Sequence, residues 1–167
     1  MSLEIEKLIP IERLMEARQT LRQQGKSLVF TNGCFDLLHV GHVYFLKEAA
    51  VQADVLWVAV NSDASVRLLK GSTRPIYPQE ARLYLLNALQ CVNGLFTFDG
   101  LHLAQEMELI APDIYVKAGD YTLETMHPLE RAALEKNHSQ ILFLNFVSGW
   151  STSDIIQSIT QQPKSNV

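Results

Sequence analysis

Cysteine is scarce: the chain has two, Cys34 and Cys91, far apart in the sequence. A disulfide framework is therefore excluded, and no Cys or His pair has the spacing of a zinc site. Long apolar runs are absent. None approaches the roughly 20 residues needed to cross a bilayer. The N-terminus, MSLEIEKLIP, has no basic segment ahead of an apolar core, so it does not read as a secretory signal. Positive charge is not in excess: 14 Lys and Arg stand against 18 Asp and Glu, a formal net charge of −4. Proteins that work on nucleic acid ordinarily carry a basic surplus. We therefore expect a cytoplasmic protein with neither nucleic acid nor membrane as partner. Internal repeats are missing, and so is the G-x-G-x-x-G fingerprint of a nicotinamide dinucleotide fold. Gly25-Lys26-Ser27 ends like a P-loop, but Thr20 stands where the first glycine belongs.

What is present is a 167-residue chain, 47% hydrophobic and 19% charged. That length suits one domain and buries roughly two-thirds of the unfolded surface. Short apolar runs alternate with helical patterns. Ser27–Thr31, Val55–Val60, Leu95–Phe98, Ile114–Val116 and Ile141–Phe146 read as strands. Continuous apolar strands suit a parallel sheet covered on both faces. Val43–Val51, Pro78–Leu89, Leu101–Ile110, Leu129–Lys136 and Asp154–Thr160 read as the helices between and after them. Ile11–Gln23 reads as an amphipathic helix ahead of the first strand. The expected fold is α/β: a Rossmann-like three-layer sandwich with about five parallel strands and helices on both faces. The expected division is a helical extension over 1–25 packed on the domain, a catalytic domain over 26–161, and a loose tail over 162–167. Ligands of such sheets sit beyond the carboxyl ends of the strands, which points to the loops after Thr31, Val60, Val116 and Phe146.

The first of these loops carries the most chemistry. His39 and His42 lie three apart at a helix start, a spacing that puts both rings on one face. Gly41 removes a side chain between them, which lets a bulky ligand approach the backbone. A helix N-terminus offers free N–H groups and partial positive charge to a phosphate. Two imidazoles there suit oxygens whose charge grows in a transition state. Near the C-terminus, Ser151-Thr152-Ser153 opens the last helix and presents hydroxyls and N–H groups to an anion. Lys70, Arg74 and Arg82 form a basic group after the second strand, and Lys117 and Asp120 follow the fourth. Each feature has a plainer counterpart: an ordinary helix start, a simple N-cap, solvated surface charge. His102, His127 and His138 are scattered and read as surface or packing residues.

Asn32-Gly33-Cys34-Phe35-Asp36 followed by His39-Val40-Gly41-His42 resembles the signature of the cytidylyltransferase-like nucleotidyltransferases. Further pieces match in order: Val58–Asp63, Leu69-Lys70-Gly71 with Arg74-Pro75, Glu80-Ala81-Arg82, Val116–Tyr121 and Gly149–Ile155. Together they cover about residues 26–160. Within the family the set looks most like the heptose 1-phosphate adenylyltransferases, expected here in free-standing form.

The resemblance implies an enzyme that transfers a nucleoside monophosphate, AMP from ATP, to heptose 1-phosphate and releases pyrophosphate. That places it in nucleotide-sugar synthesis for lipopolysaccharide. A cytidylyltransferase acting on glycerol 3-phosphate and a non-catalytic nucleotide-binding module are the competing readings. The implied catalytic residues are His39, His42, Lys70 and Arg74. Asn32, Gly33, Cys34, Phe35, Asp36, Gly41, Arg82, Lys117, Gly119, Asp120, Ser151, Thr152 and Ser153 are the implied nucleotide-binding set. Magnesium would arrive with the triphosphate rather than on protein side chains, and a homodimer is expected. The chain departs from the family pattern at Ala118 and Ser153, at Val51–Asp54, and most at Met126–Arg131, a departure that bears on which acceptor sugar is used.

Overall fold

The computed structural model describes residues 3–119, 121–145 and 149–161. Five strands form one sheet: β1 (Leu28–Gly33), β2 (Val55–Asn61), β3 (Gly94–Phe98), β4 (Ile114–Ala118) and β5 (Gln140–Leu144). Every pairing is parallel, in the order β3-β2-β1-β4-β5. A single 3-10 turn at Ile11–Arg13 leads into α1 (Leu14–Gln23). The other helices are α2 (Val40–Ala50), α3 (Asp63–Lys70), α4 (Gln79–Asn87), α5 (Ala104–Ile110), α6 (Pro128–Lys136) and α7 (Thr152–Thr160).

Alternation along the strands produces two cores, because successive side chains point to opposite faces. On one face Phe30 of β1 stacks on Phe96 of β3 at 5.8 Å and meets Tyr115 of β4 at 5.9 Å. Leu14 of α1, Met107 and Ile110 of α5, and Ala133 and Leu134 of α6 cover that layer. On the other face Val29, Val58 and Val116 pack under Phe45 and Leu46 of α2 and Leu83 and Leu86 of α4. The result is the three-layer α/β sandwich expected from the alternating pattern.

The N-terminal segment contributes to both sheet and core. Ile9 N–H donates to the Leu95 carbonyl at 2.7 Å, and Leu95 N–H donates to the Lys7 carbonyl at 2.8 Å, so the open edge of β3 is covered. The approach is close: a Cβ on Gly94 would lie 2.6 Å from the Trp57 ring and 2.8 Å from Ile9. Buried Arg18 of α1 donates to the Ile110 carbonyl at 3.1 Å and to Asp113 at 2.9 Å, which fixes α1 against the end of α5.

Several boundaries differ from the sequence reading. Helix α2 begins at Val40, not Val43, because His39 serves as its N-cap: its Nδ1 accepts from the Gly41 N–H. Helix α3 was not expected at all. It is only eight residues long, is capped by Ser62 and buries just Ser65 and Val66, while Leu68 and Leu69 stay exposed. Strand β5 ends at Leu144, short of Phe146, which lies outside the described residues, as does the tail over 162–167.

Candidate active site

A cavity of about 780 Å³ opens beyond the carboxyl ends of β1, β2 and β4. Chain connections leave β1 toward β2 and β3 on one side and toward β4 and β5 on the other. A crevice forms where the strand order reverses in this way, and ligands of open α/β sheets bind there.

The loop between β1 and α2 forms the cavity floor. Phe35 and Leu37 both hold left-handed backbone, with φ of 49° and 48°. That conformation is unfavourable for side chains of this size and recurs at functional loops. The Phe35 ring turns inward and sits 5.4 Å from the His42 ring. The His39 and His42 rings stack with centroids 3.8 Å apart, and both line the cavity. Because Nδ1 of His39 accepts from Gly41 N–H at 3.1 Å, the neutral ring carries its proton on Nε2. Burial lowers the pKa of both rings. For His42 it falls to about 4, with the neighbouring His39 adding to the effect and Asp36 opposing it. The pair is therefore neutral at pH 7 and able to donate a hydrogen bond, but not a fixed cation. Gly41 serves the His39 ring as well as any ligand: a Cβ there would lie 3.0 Å from that ring and 3.1 Å from the Trp150 carbonyl.

Two of the three expected basic residues face the cavity. Lys70 ends α3, and Arg74 follows in the next loop. Arg74 Nε donates to Asp36 at 2.6 Å, and the same carboxylate accepts from the N–H groups of Ile76 at 2.8 Å and Tyr77 at 2.9 Å. Burial works against the Asp36 carboxylate, but these donors outweigh it and hold its pKa below the usual value. Asp36 thus organises the basic loop.

Arg82, expected in the nucleotide-binding set, does not reach the cavity. It is fully buried. Its guanidinium donates to the carbonyls of Tyr77 at 3.1 Å, Cys34 at 2.5 Å and Asn61 at 2.8 Å, and to Asp63 at 2.8 Å. It ties together the loops after β1 and β2 from beneath. Nothing in residue type or spacing separates such a buried arginine from a surface one.

At the end of β4, Lys117 lines the cavity and donates to Asn32 Oδ1 at 3.2 Å, while Tyr115 OH donates to the same oxygen at 2.7 Å. Burial lowers the Lys117 pKa, and the nearby Glu130 charge opposes that shift. Gly119 follows with φ +98° and is not among the cavity residues. Asp120 lies outside the described residues. The start of α7 reaches the site from the far end of the sequence. Ser151, Thr152 and Ser153 all line the cavity, and Thr152 Oγ1 donates to the Asp36 carbonyl at 3.0 Å. Trp150, half exposed, stands beside them.

One wall was not anticipated. Leu101, Tyr121, Thr125, His127 and Glu130 also line the cavity, around the N-terminal end of α6. His127 stacks on His102 at 4.4 Å. No spacing in the sequence brings these segments together. The only signal was Met126–Arg131 itself, as a departure from the family pattern.

A family model described as cytidylyltransferase-like matches residues 30–158. The chain belongs to that family. The match carries the enzyme class, nucleotidyltransferase, and spans every cavity-lining residue named above. Curated relatives of this cytidylyltransferase-like chain include three proteins named Bifunctional protein HldE. That of Syntrophotalea carbinolica is 41% identical over 148 residues, 89% of this chain and 30% of the relative. That of Pectobacterium carotovorum is 44% identical over 151 residues, again 89% and 30%. That of Shigella sonnei is 42% identical over 153 residues, 92% and 32%. The chain thus spans about a third of the length of these relatives. Among solved structures, a lipopolysaccharide core biosynthesis protein from Thermoplasma volcanium superposes with TM-score 0.59 at 25% identity, over 74% of this chain and 98% of that one. A pantoate-beta-alanine ligase from Francisella tularensis gives TM-score 0.57 at 15% identity, over 96% and 81%, a likeness of fold alone. Among the described residues, no helix is long and apolar enough to cross a membrane.

Proposed function

We propose that the chain transfers AMP from ATP to a sugar phosphate, heptose 1-phosphate, and releases pyrophosphate. The observation that carries the reading is the stacked His39–His42 pair over the strained β1–α2 loop, with Lys70 and Arg74 lining the same cavity. A phosphate oxygen of the acceptor attacks the α-phosphorus. The bond from that phosphorus to the bridging oxygen breaks, and the electron pair leaves on pyrophosphate. The attacking oxygen is already anionic, so no general base is needed; positioning and charge stabilisation do the catalysis.

Each residue has a part in that scheme. Neutral His39 and His42 donate to α-phosphoryl oxygens as charge builds. Lys70 and Arg74 hold the β- and γ-phosphates and then the departing pyrophosphate. The N–H groups of Cys34 and Phe35, with the α7 start at Ser151–Ser153, cradle phosphates. Lys117 adds a cation. The Asp36 oxygens already accept from Arg74, Ile76 and Tyr77, so magnesium enters as part of the substrate, MgATP, carried by phosphate oxygens. Reliance on ATP makes the cytoplasm its place of work. The relatives named HldE and the lipopolysaccharide core biosynthesis structure support the sugar-phosphate assignment and a role in lipopolysaccharide precursor synthesis.

The test is pyrophosphate release from the purified chain with magnesium. ATP and CTP are crossed with heptose 1-phosphate, other sugar 1-phosphates and glycerol 3-phosphate. Fast turnover is expected with ATP and heptose 1-phosphate. Turnover only with CTP and glycerol 3-phosphate would replace both substrates, and nucleotide binding with silence across the grid would leave a binding module.

A further inference from the structure

Helix α3 carries Lys70 to the cavity but is fastened at one end only. Its first half buries Ser65 and Val66, while Arg67, Leu68, Leu69 and Lys70 are all exposed. Lys70 lines the cavity from the last position of the helix. Apolar packing therefore contributes little to the half that bears the ammonium. Whatever fixes the first turns of α3 also fixes Lys70.

Those turns are held by polar contacts. Ser62 Oγ caps the helix, accepting from the Ser65 N–H at 3.2 Å, and Asp63 accepts from buried Arg82 at 2.8 Å. The third contact is a chain of hydrogen bonds whose direction is fixed throughout. A serine hydroxyl has one proton, and a carbonyl can only accept. Ser65 Oγ therefore donates to the Gly100 carbonyl at 2.8 Å and accepts from Asn61 Nδ2 at 2.9 Å. Asn61 Oδ1 is left as an acceptor, and the Cys34 thiol donates to it at 3.7 Å. The chain runs from the β1–α2 loop, through the end of β2 and under α3, to the loop after β3. Asn61 is 3% exposed and Ser65 fully buried, so water cannot replace a missing member and each break leaves a neighbour unpaired.

We infer that Ser65 is a positioning residue: through Asn61 and Gly100 it sets the tilt of α3 and so delivers Lys70 to the triphosphate. Ser65 does not itself line the cavity. The inference rests on the proposed role of Lys70 at the β- and γ-phosphates. A helix rises about 1.5 Å per residue, which puts Lys70 roughly 7–8 Å along the axis from Ser65. A small tilt at the anchor is therefore magnified at the ammonium, where misplacement by about 1 Å is costly.

The experiment is calorimetric binding of MgATP and of AMP to wild type, Ser65→Ala, Lys70→Met and the double variant, with no acceptor present. AMP lacks the phosphates assigned to Lys70. Ser65→Ala should weaken MgATP binding about 5- to 10-fold, part of the loss of one charged hydrogen bond, and leave AMP within about twofold. Lys70→Met should weaken MgATP at least as much. In the Lys70→Met background, Ser65→Ala should change MgATP affinity by less than about twofold, because two residues acting through one contact are not additive. Ser65→Cys keeps a weaker donor at the same place and should bind MgATP with an affinity between wild type and Ser65→Ala. It also takes the place of Ser65→Ala in the cycle if that variant does not fold. Additive losses, or equal weakening of MgATP and AMP, would overturn the inference, since Ser65 would then support the site as a whole. Unchanged MgATP affinity in folded Ser65→Ala would overturn it as well. MgATP binding without turnover of any sugar phosphate would defeat the proposed transfer and leave the positioning role to be decided by the same cycle. If wild type binds MgATP no more tightly than AMP, Lys70 has no such role and the inference fails with it.

Discussion

The Asp36 carboxylate accepts from Arg74 Nε at 2.6 Å, although the two residues lie in different loops. Asp36 follows β1 and Arg74 follows α3, so one ion pair joins the β1–α2 loop to the basic loop that follows α3. Asp36 is nearly inaccessible, while Arg74 keeps an open edge to the cavity.

Removing Asp36 should therefore damage both fold and binding. Asp36→Ala leaves the Ile76 and Tyr77 N–H groups without their acceptor and Arg74 without its anchor. Loss of one partner from a buried pair costs about 3–5 kcal/mol. Arg74→Met should cost less stability, because two N–H donors still satisfy the carboxylate, but should raise the KM for ATP about tenfold, the scale of one lost charged contact. Urea unfolding and ATP kinetics on both variants separate the two effects.

His42→Ala should fold and lose turnover. Loss of one donor to a developing oxyanion costs on the order of 10²–10³ in rate. The reduction should fall on kcat more than on the KM for ATP, since the contact strengthens only as charge builds. Single-turnover formation of product is the measurement, and near-wild-type rates in His42→Ala would sink the role assignment.

The buried imidazole also sets a pH dependence. The folded pKa of His42 is about 4, below the ordinary 6.5. Between those values the unfolded chain binds a proton that the folded chain refuses, so stability declines as pH falls through that window and is unaffected above it. The effect is at most about 3 kcal/mol across the window. Urea midpoints at pH 7 and pH 4.5 should show a smaller decline in His42→Gln than in wild type. Equal declines would mean that His42 titrates normally.

Arg82 should behave as a structural residue. Its guanidinium is shared among three carbonyls and Asp63, a geometry that an ammonium cannot reproduce. Arg82→Lys should lose about 2–4 kcal/mol, since several buried acceptors are left unpaired at once. A variant with wild-type stability but a raised KM for ATP would restore Arg82 to the cavity.

Much of this protein is determined locally. Uniformly apolar strands such as Val55–Val60 need cover on both faces, and alternation with helices then leaves little choice but a parallel α/β sheet. The β1–α2 loop is also a local object: His39 caps the start of α2 from extended backbone and His42 lies in its first turn, so the short chain between them brings the two rings together. Tertiary structure decided the rest. Whether an arginine is a clamp or an internal strut depends on which carbonyls surround it, and those around Arg82 come from Cys34, Asn61 and Tyr77, far apart in sequence. His127 read as a packing residue because nothing in sequence links α6 to β1. Only the strand order, which sets β4 beside β1 and packs α6 over that face, makes it a wall of the same cavity.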